Sequence, residues 1–131
     1  MADLGLAFVV GDRLSRRAEA ERAEALPAGT AAYLAPEQAR DASVVDLRAD
    51  VYALGVTFYE ALTGRLPFVG KNRMQVIFQH LNATPVPPAE RSSDVPPLIS
   101  DLCLWMLCKH PAERPQNADE LRTAFATVRG Q

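Results

Sequence analysis

The chain has 131 residues, of which 48% are hydrophobic and 23% charged, enough for one domain with a modest core and too few for two independent ones. Its 14 basic and 16 acidic residues leave a formal net charge of −2, which provides no basic footprint for nucleic acid or an anionic membrane surface. Seven Gly and ten Pro among this many apolar residues argue for defined elements joined by firm turns rather than a disordered chain.

In chain order, MADLGLAFVV (1–10) reads as a short extended piece that turns at Gly11-Asp12. It lacks both the basic start and the apolar core of a signal peptide. RLSRRAEAERAEAL (13–26) has pairs at helical spacing, Arg16 with Glu19 and Arg17 with Glu21, but almost no apolar stripe. It is a solvated helix or a loop, ended by Pro27-Ala28-Gly29. YLAPEQAR (33–40) has Pro36 where a short helix would begin.

The next helix is the strongest. Asp46 or Asp50 caps its start, it runs to about Thr63, and Gly64 stands as its C-terminal stop. Between Val51 and Leu62 only Thr57 and Glu60 are clearly polar, the pattern of a helix enclosed on nearly every side. This stretch is too short and too polar to span a bilayer.

NRMQVIFQHLNA (72–83) places Met74, Ile77, Phe78 and Leu81 at i, i+3, i+4 and i+7, which predicts an amphipathic helix with that face inward. TPVPPAERSSDVPP (84–97), with five prolines, reads as an ordered loop or linker. A second apolar helix starts at Pro97, runs through PLISDLCLWMLC (97–108) and is stopped by His110-Pro111. Asn117 and Glu120 have capping-box spacing ahead of a last helix, whose inner face is Leu121, Phe125 and Val128.

Cys103 and Cys108 lie five apart in one apolar helix, a poor spacing for a disulfide, and two ligands do not make a zinc site. They read as buried small hydrophobes in a reducing compartment. His80 and His110 have no neighbouring carboxylate or Cys pattern, so both read as surface or satisfied histidines. No internal repeat and no convincing run of strands is present, so the fold class is mainly α.

Five stretches, taken together and in order, resemble one family. They are DLG (3–5), GTAAYLAPEQ (29–38), DLRADVYALGVTFYEALTGRLPF (46–68), HPAERP (110–115) and the closing amphipathic helix. The chain resembles the C-terminal-lobe portion of a eukaryotic-type Ser/Thr protein kinase domain, of the kind bacteria also carry, from the Asp-Phe-Gly-equivalent motif onward. The resemblance implies a partial kinase domain over 1–131, with the metal-binding motif and activation segment in 1–37 and C-lobe helices in 38–131.

By that resemblance Asp3 is the Mg²⁺ ligand that faces the ATP phosphates, and Gly5 supplies the free backbone of a switch point. Leu4 replaces the usual Phe, an apolar exchange. Thr30 would contact the catalytic Asp and its partner Lys in an intact enzyme. Glu37 and Arg114 would form a buried ion pair that holds the activation segment to the lobe, and Asp50 would brace the backbone of the catalytic loop. Ser15 and Thr30 are the candidate phosphosites, and with Ser15 alone ahead of Thr30 activation by loop phosphorylation is not expected.

The 131 residues contain no Gly-rich loop, no Val-Ala-Ile-Lys strand and no His-Arg-Asp catalytic loop. The expectation is therefore that this chain alone performs no phosphoryl transfer and binds neither ATP nor Mg²⁺ tightly, whereas the parent domain uses both to phosphorylate protein Ser/Thr. Helix 51–62 is expected to expose a large apolar face, to make the isolated chain marginally stable, and to meet the missing kinase half or another protein. The competing reading is a non-catalytic, kinase-derived binding or regulatory module. The expected compartment is the cytoplasm, with no nucleic-acid partner and no membrane segment.

Overall fold

A computed structural model describes residues 31–41, 43–44 and 46–129 of the chain. Among these residues the structure is helical, with no strand: α1 (Pro36–Arg40), α2 (Leu47–Thr63), α3 (Arg73–Asn82), α4 (Pro88–Arg91), α5 (Pro97–Met106), a 3₁₀ turn (Pro111–Glu113) and α6 (Ala118–Arg129). Residues 1–10 and the Ala/Glu/Arg-rich segment 13–26 lie outside the described residues.

Each helix boundary has a local chemical cause. Asp46, the N-cap of α2, accepts a hydrogen bond from the Arg48 amide at 2.8 Å, which satisfies one of the orphan donors of the first turn. At the other end Gly64 adopts φ +75° and its amide donates to the Glu60 carbonyl, the left-handed C-cap that favours glycine. Asp50 therefore lies within the first turn of α2, where the helix dipole favours its charge. Pro36 and Pro97 occupy first-turn positions, where a missing N–H costs nothing.

The last helix begins with half of a capping box. The Asn117 Oδ1 accepts from the Glu120 amide at 2.8 Å, but the Glu120 carboxylate reaches back to the Gln116 amide rather than to that of Asn117. The proline-rich segment 84–97 is ordered and includes one helical turn, α4.

The core lies between α2 and α5. Val51, Tyr52, Val56, Phe58 and Tyr59 of α2 pack with Leu102, Cys103 and Met106 of α5 and with Leu107 just beyond it. Gly55 makes this contact close: a Cβ there would stand 2.9 Å from Met106 Cβ. α6 closes one side with Leu121, Ala124, Phe125 and Val128, the Phe125 ring meeting Phe58 edge-on at 5.4 Å.

Two expectations change here. Helix 51–62 offers no large apolar face: from Val51 to Tyr59 every residue except Leu54 is buried, because α4, α5 and α6 enclose it. The helix over 72–83 forms, but with a different inward face. Val76 and His80 are buried, while Met74 and Phe78 are 71% and 65% exposed. The reason is polar. His80 turns inward to meet the hydroxyl of Tyr52, and the helix rotates with it.

Candidate functional site

The segment Ala31–Gln38 leads into α1 and lies almost wholly buried. Three side chains hold it in place, two of them by reaching other elements. Tyr33 donates its hydroxyl to Glu60 Oε1 of α2 at 2.9 Å. Gln38 accepts from the Ala35 amide and donates to the Val44 carbonyl, which closes the loop on either side of α1.

The third contact is the strongest. Glu37, in the first turn of α1, holds the guanidinium of Arg114 in two parallel bonds of 2.7 Å each. Arg114 follows the 3₁₀ turn, is itself buried, and its remaining donors go to the carbonyls of Cys108 (2.7 Å), Arg48 (2.9 Å) and Lys109 (3.1 Å). All five N–H donors of a guanidinium thus have acceptors, which is the condition for burying one without stranding it. The planar group also lies over the Tyr52 ring, 4.9 Å from its centroid.

From Tyr52 the contacts continue into α3. The Tyr52 hydroxyl is 2.7 Å from His80 Nδ1, and burial pushes the phenol's pKa up strongly, so that it remains a neutral donor. Burial, followed by the nearby Lys109 charge, pushes the His80 pKa down to about 4. Phe68 meets the imidazole edge-on at 5.1 Å, and the Lys109 ammonium lies 4.4 Å from the Phe68 ring centroid. Lys109 also donates to the Gln79 carbonyl in the last turn of α3, and burial, followed by Arg114, brings its pKa down to about 8. The path from Glu37 through Arg114, Tyr52, His80, Phe68 and Lys109 returns to Arg114 through the Lys109 carbonyl.

Among the candidate residues, the structure brings together Glu37 and Arg114 and places Asp50 half-buried in the first turn of α2. Asp3, Gly5, Ser15 and Thr30 lie outside the described residues. No group of three or more His, Cys, Asp or Glu that could hold a metal ion occurs among the described residues. Neither cysteine is in a disulfide, and burial pushes the Cys103 thiol up to about 12, which makes it an inert core group. No helix among the described residues is long and apolar enough to cross a membrane.

His80, Phe68 and Lys109 belong to this network; sequence reads His80 only as a surface or satisfied histidine, and the structure buries it against Tyr52. One signal pointed to His80. A tyrosine in a helix enclosed on nearly every side needs a partner for its hydroxyl, and His80 is one of the side chains of 72–83 that can accept from it.

The protein kinase domain model matches residues 1–126. The chain is 47% identical over 100 residues to the serine/threonine-protein kinase PknB of Mycolicibacterium smegmatis, covering 76% of this chain and 16% of that protein. It is 41% identical over 126 residues to PknB of Mycobacterium leprae, covering 96% of this chain and 19% of that protein. A probable serine/threonine-protein kinase of Corynebacterium efficiens is 41% identical over 123 residues, covering 91% and 18%. The chain therefore spans less than a fifth of the length of these relatives. With a match running nearly end to end, over the same segment that Glu37 and Arg114 tie to the helical core, the chain belongs to the protein kinase domain family.

Proposed function

We propose that these residues form the substrate-side lobe of a Ser/Thr protein kinase domain, which in its intact form transfers the γ-phosphoryl group of ATP to protein Ser or Thr. The observation that carries this reading is the buried Glu37–Arg114 pair. It fixes the segment that follows Gly29-Thr30 to α2 and the 3₁₀ turn, as a loop that must receive a peptide in one position requires. Tyr33 and Gln38 support the same role from either side.

In the intact domain a Mg²⁺ ion held by Asp3 would offset charge on the ATP phosphates. The chain's own contribution is orientation. Thr30 directly precedes the fixed stretch 31–38 in sequence, and by the family resemblance Asp50, in the first turn of α2, would brace catalytic-loop backbone supplied by the rest of the domain. The 131 residues include no phosphate-binding Lys and no catalytic Asp loop, so on their own they are inactive in this reading. The two free thiols fit a reducing, cytoplasmic setting.

The test supplies the remaining parts. The first part of the M. smegmatis PknB kinase domain, through its catalytic loop, is fused ahead of Asp3, and transfer of labelled phosphate to a protein substrate is measured. Transfer by the fusion, its loss in D3N, and none from the 131 residues alone are the expected results. A folded fusion that transfers nothing, or one indifferent to D3N, would favour a non-catalytic binding module.

A further inference from the structure

We propose that the outward face of α3, together with the loop 69–71 beside it, is a docking surface for an acidic, apolar segment of a protein partner.

The apolar part is concentrated. Among the described residues Val69, Met74 and Phe78 are each at least 65% exposed, whereas the other large apolar side chains at the surface, Leu47, Val86 and Leu98, reach at most 49%. Met74 and Phe78 stand four residues apart on α3 and so share a face. Val69 belongs to a loop that lies along the helix: the Gln79 side chain donates to the Val69 carbonyl, and Gln75 Oε1 accepts from the Lys71 amide at 2.7 Å. Single apolar side chains scattered over a surface need no explanation, but three gathered on one helix and its flanking loop mark a contact site.

This face is also preformed. His80 ties α3 to Tyr52 from the buried side, and Lys109 donates to the Gln79 carbonyl at 3.2 Å in the last turn. Gln75 and Gln79 already hold the loop in place, so a partner meets ordered backbone and little conformational entropy is lost on docking. The unbranched thioether of Met74 supplies the adaptable part of the surface.

Charge selects the occupant. From Ala61 to Ala89 the chain contains no Asp or Glu, although it has 16 elsewhere. The same stretch carries Arg65, Lys71 and Arg73, all exposed, and among the described residues neither Lys71 nor Arg73 is in an ion pair. A second copy of the chain is disfavoured, because pairing this face with itself about a two-fold axis sets Lys71 and Arg73 against their own kind. Three cations are also fewer than the roughly four to eight that hold a basic patch on an anionic bilayer. An acidic segment with apolar side chains answers both features: its carboxylates meet the cations at the rim, and its apolar groups cover Met74 and Phe78.

The experiment uses the whole chain, ¹⁵N-labelled, and needs no phosphoryl transfer. The probe is a synthetic helical peptide of about four turns, with Leu at i, i+3, i+4 and i+7 and Glu at the remaining positions. A copy with Lys in place of each Glu is the control. Amide chemical shifts should change only over 69–82, and fluorescence anisotropy of the labelled peptide gives the affinity. F78S keeps the fold, since its side chain projects outward; it and K71E/R73E should each weaken binding by roughly tenfold. The Lys copy should bind at least as weakly. Equal binding of the two peptides, or equal binding by F78S and the wild-type chain, would reject the docking surface. Sedimentation of the chain alone and with phosphatidylserine vesicles supplies the other outcomes. A dimer lost in F78S would give the face to a second copy, vesicle binding lost in K71E/R73E would give it to a membrane, and either overturns the proposal.

Discussion

Arg114 and Glu37, 77 positions apart, meet through two bonds of 2.7 Å, and the guanidinium spends every remaining donor on a backbone carbonyl. The two partners are not equivalent. Removing Arg114 strands a carboxylate and three carbonyls. Removing Glu37 leaves a cation that retains those carbonyls and the Tyr52 face, at a position where the Glu37 side chain was 16% exposed and water can enter. Breaking a buried pair costs ~3–5 kcal/mol, so R114A should lie at the top of that range and E37A near the bottom. Against a total stability of about 5–15 kcal/mol, R114A is expected to lose a large part of its urea midpoint and E37A a smaller but visible part. R114K should resemble R114A, since an ammonium cannot serve five acceptors. Urea titrations followed by circular dichroism decide it: equal losses for R114A and E37A would contradict the asymmetry.

His80 makes stability depend on pH in a definite window. Its pKa falls from 6.5 in the unfolded chain to about 4 in the fold, so between these values the unfolded chain binds the extra proton. Its contribution is therefore fully present above about pH 6.5 and is lost as pH falls towards 4, a span on the order of 3 kcal/mol. Asp46, held low by its bond from the Arg48 amide, and Asp41, held low by Ser43, act only below their ordinary value of 3.8. The two regimes should separate. Thermal midpoints measured from pH 7.5 to 4 should drop in the wild-type chain and stay nearly level in H80Q; parallel curves would show that another group titrates.

What could be read ahead of the structure was mostly local. Asp46, Gly64, Pro36 and Pro97 set helix ends through bonds within a few residues of themselves, and each stands at the end its chemistry suggests. The need of α2 for enclosure was legible because its composition leaves almost no polar side. That α4, α5 and α6 meet it within this chain was not, and the expected exposed face is absent among the described residues. Pairing Glu37 with Arg114 came from family resemblance, since no local pattern links positions so far apart. The inward face of α3 was hidden for a different reason. A hydrophobicity pattern counts His80 as polar and Phe78 as apolar, and it has no means of registering that a buried tyrosine hydroxyl needs a partner.

That rotation of α3 has its own test. If Met74 and Phe78 formed the inner face, polar replacement would damage the core; in the structure both project outward. M74S and F78S should each change stability by no more than about 0.5 kcal/mol, whereas V76A, at a buried site, should cost about 1–2 kcal/mol. Guanidinium unfolding of the three variants gives the comparison, and a loss in F78S larger than that in V76A would restore the other face.

Gly55 and Gly64 separate two reasons for a glycine. At Gly55 the backbone is helical, and alanine would gain about 1 kcal/mol of helix propensity. Its Cβ would, however, stand 2.9 Å from Met106 Cβ and 3.0 Å from Leu107 Cδ2. Met106 Cβ is fixed to the backbone of α5 and can yield only if the helix moves. Overpacking of this kind costs ~1–3 kcal/mol, so G55A should be destabilised on balance and its unfolding should report a disturbed α2–α5 contact. At Gly64 nothing lies within 4 Å of the added carbon, but φ is +75°. G64A should therefore lose about 1–2 kcal/mol through backbone strain alone, and G64N should recover part of it, because asparagine tolerates that conformation. Trp105, half-buried on α5, supplies the readout. Its fluorescence in the folded state should shift in G55A and remain that of the wild type in G64A, and a shift in G64A would mean that the strain spreads into the core.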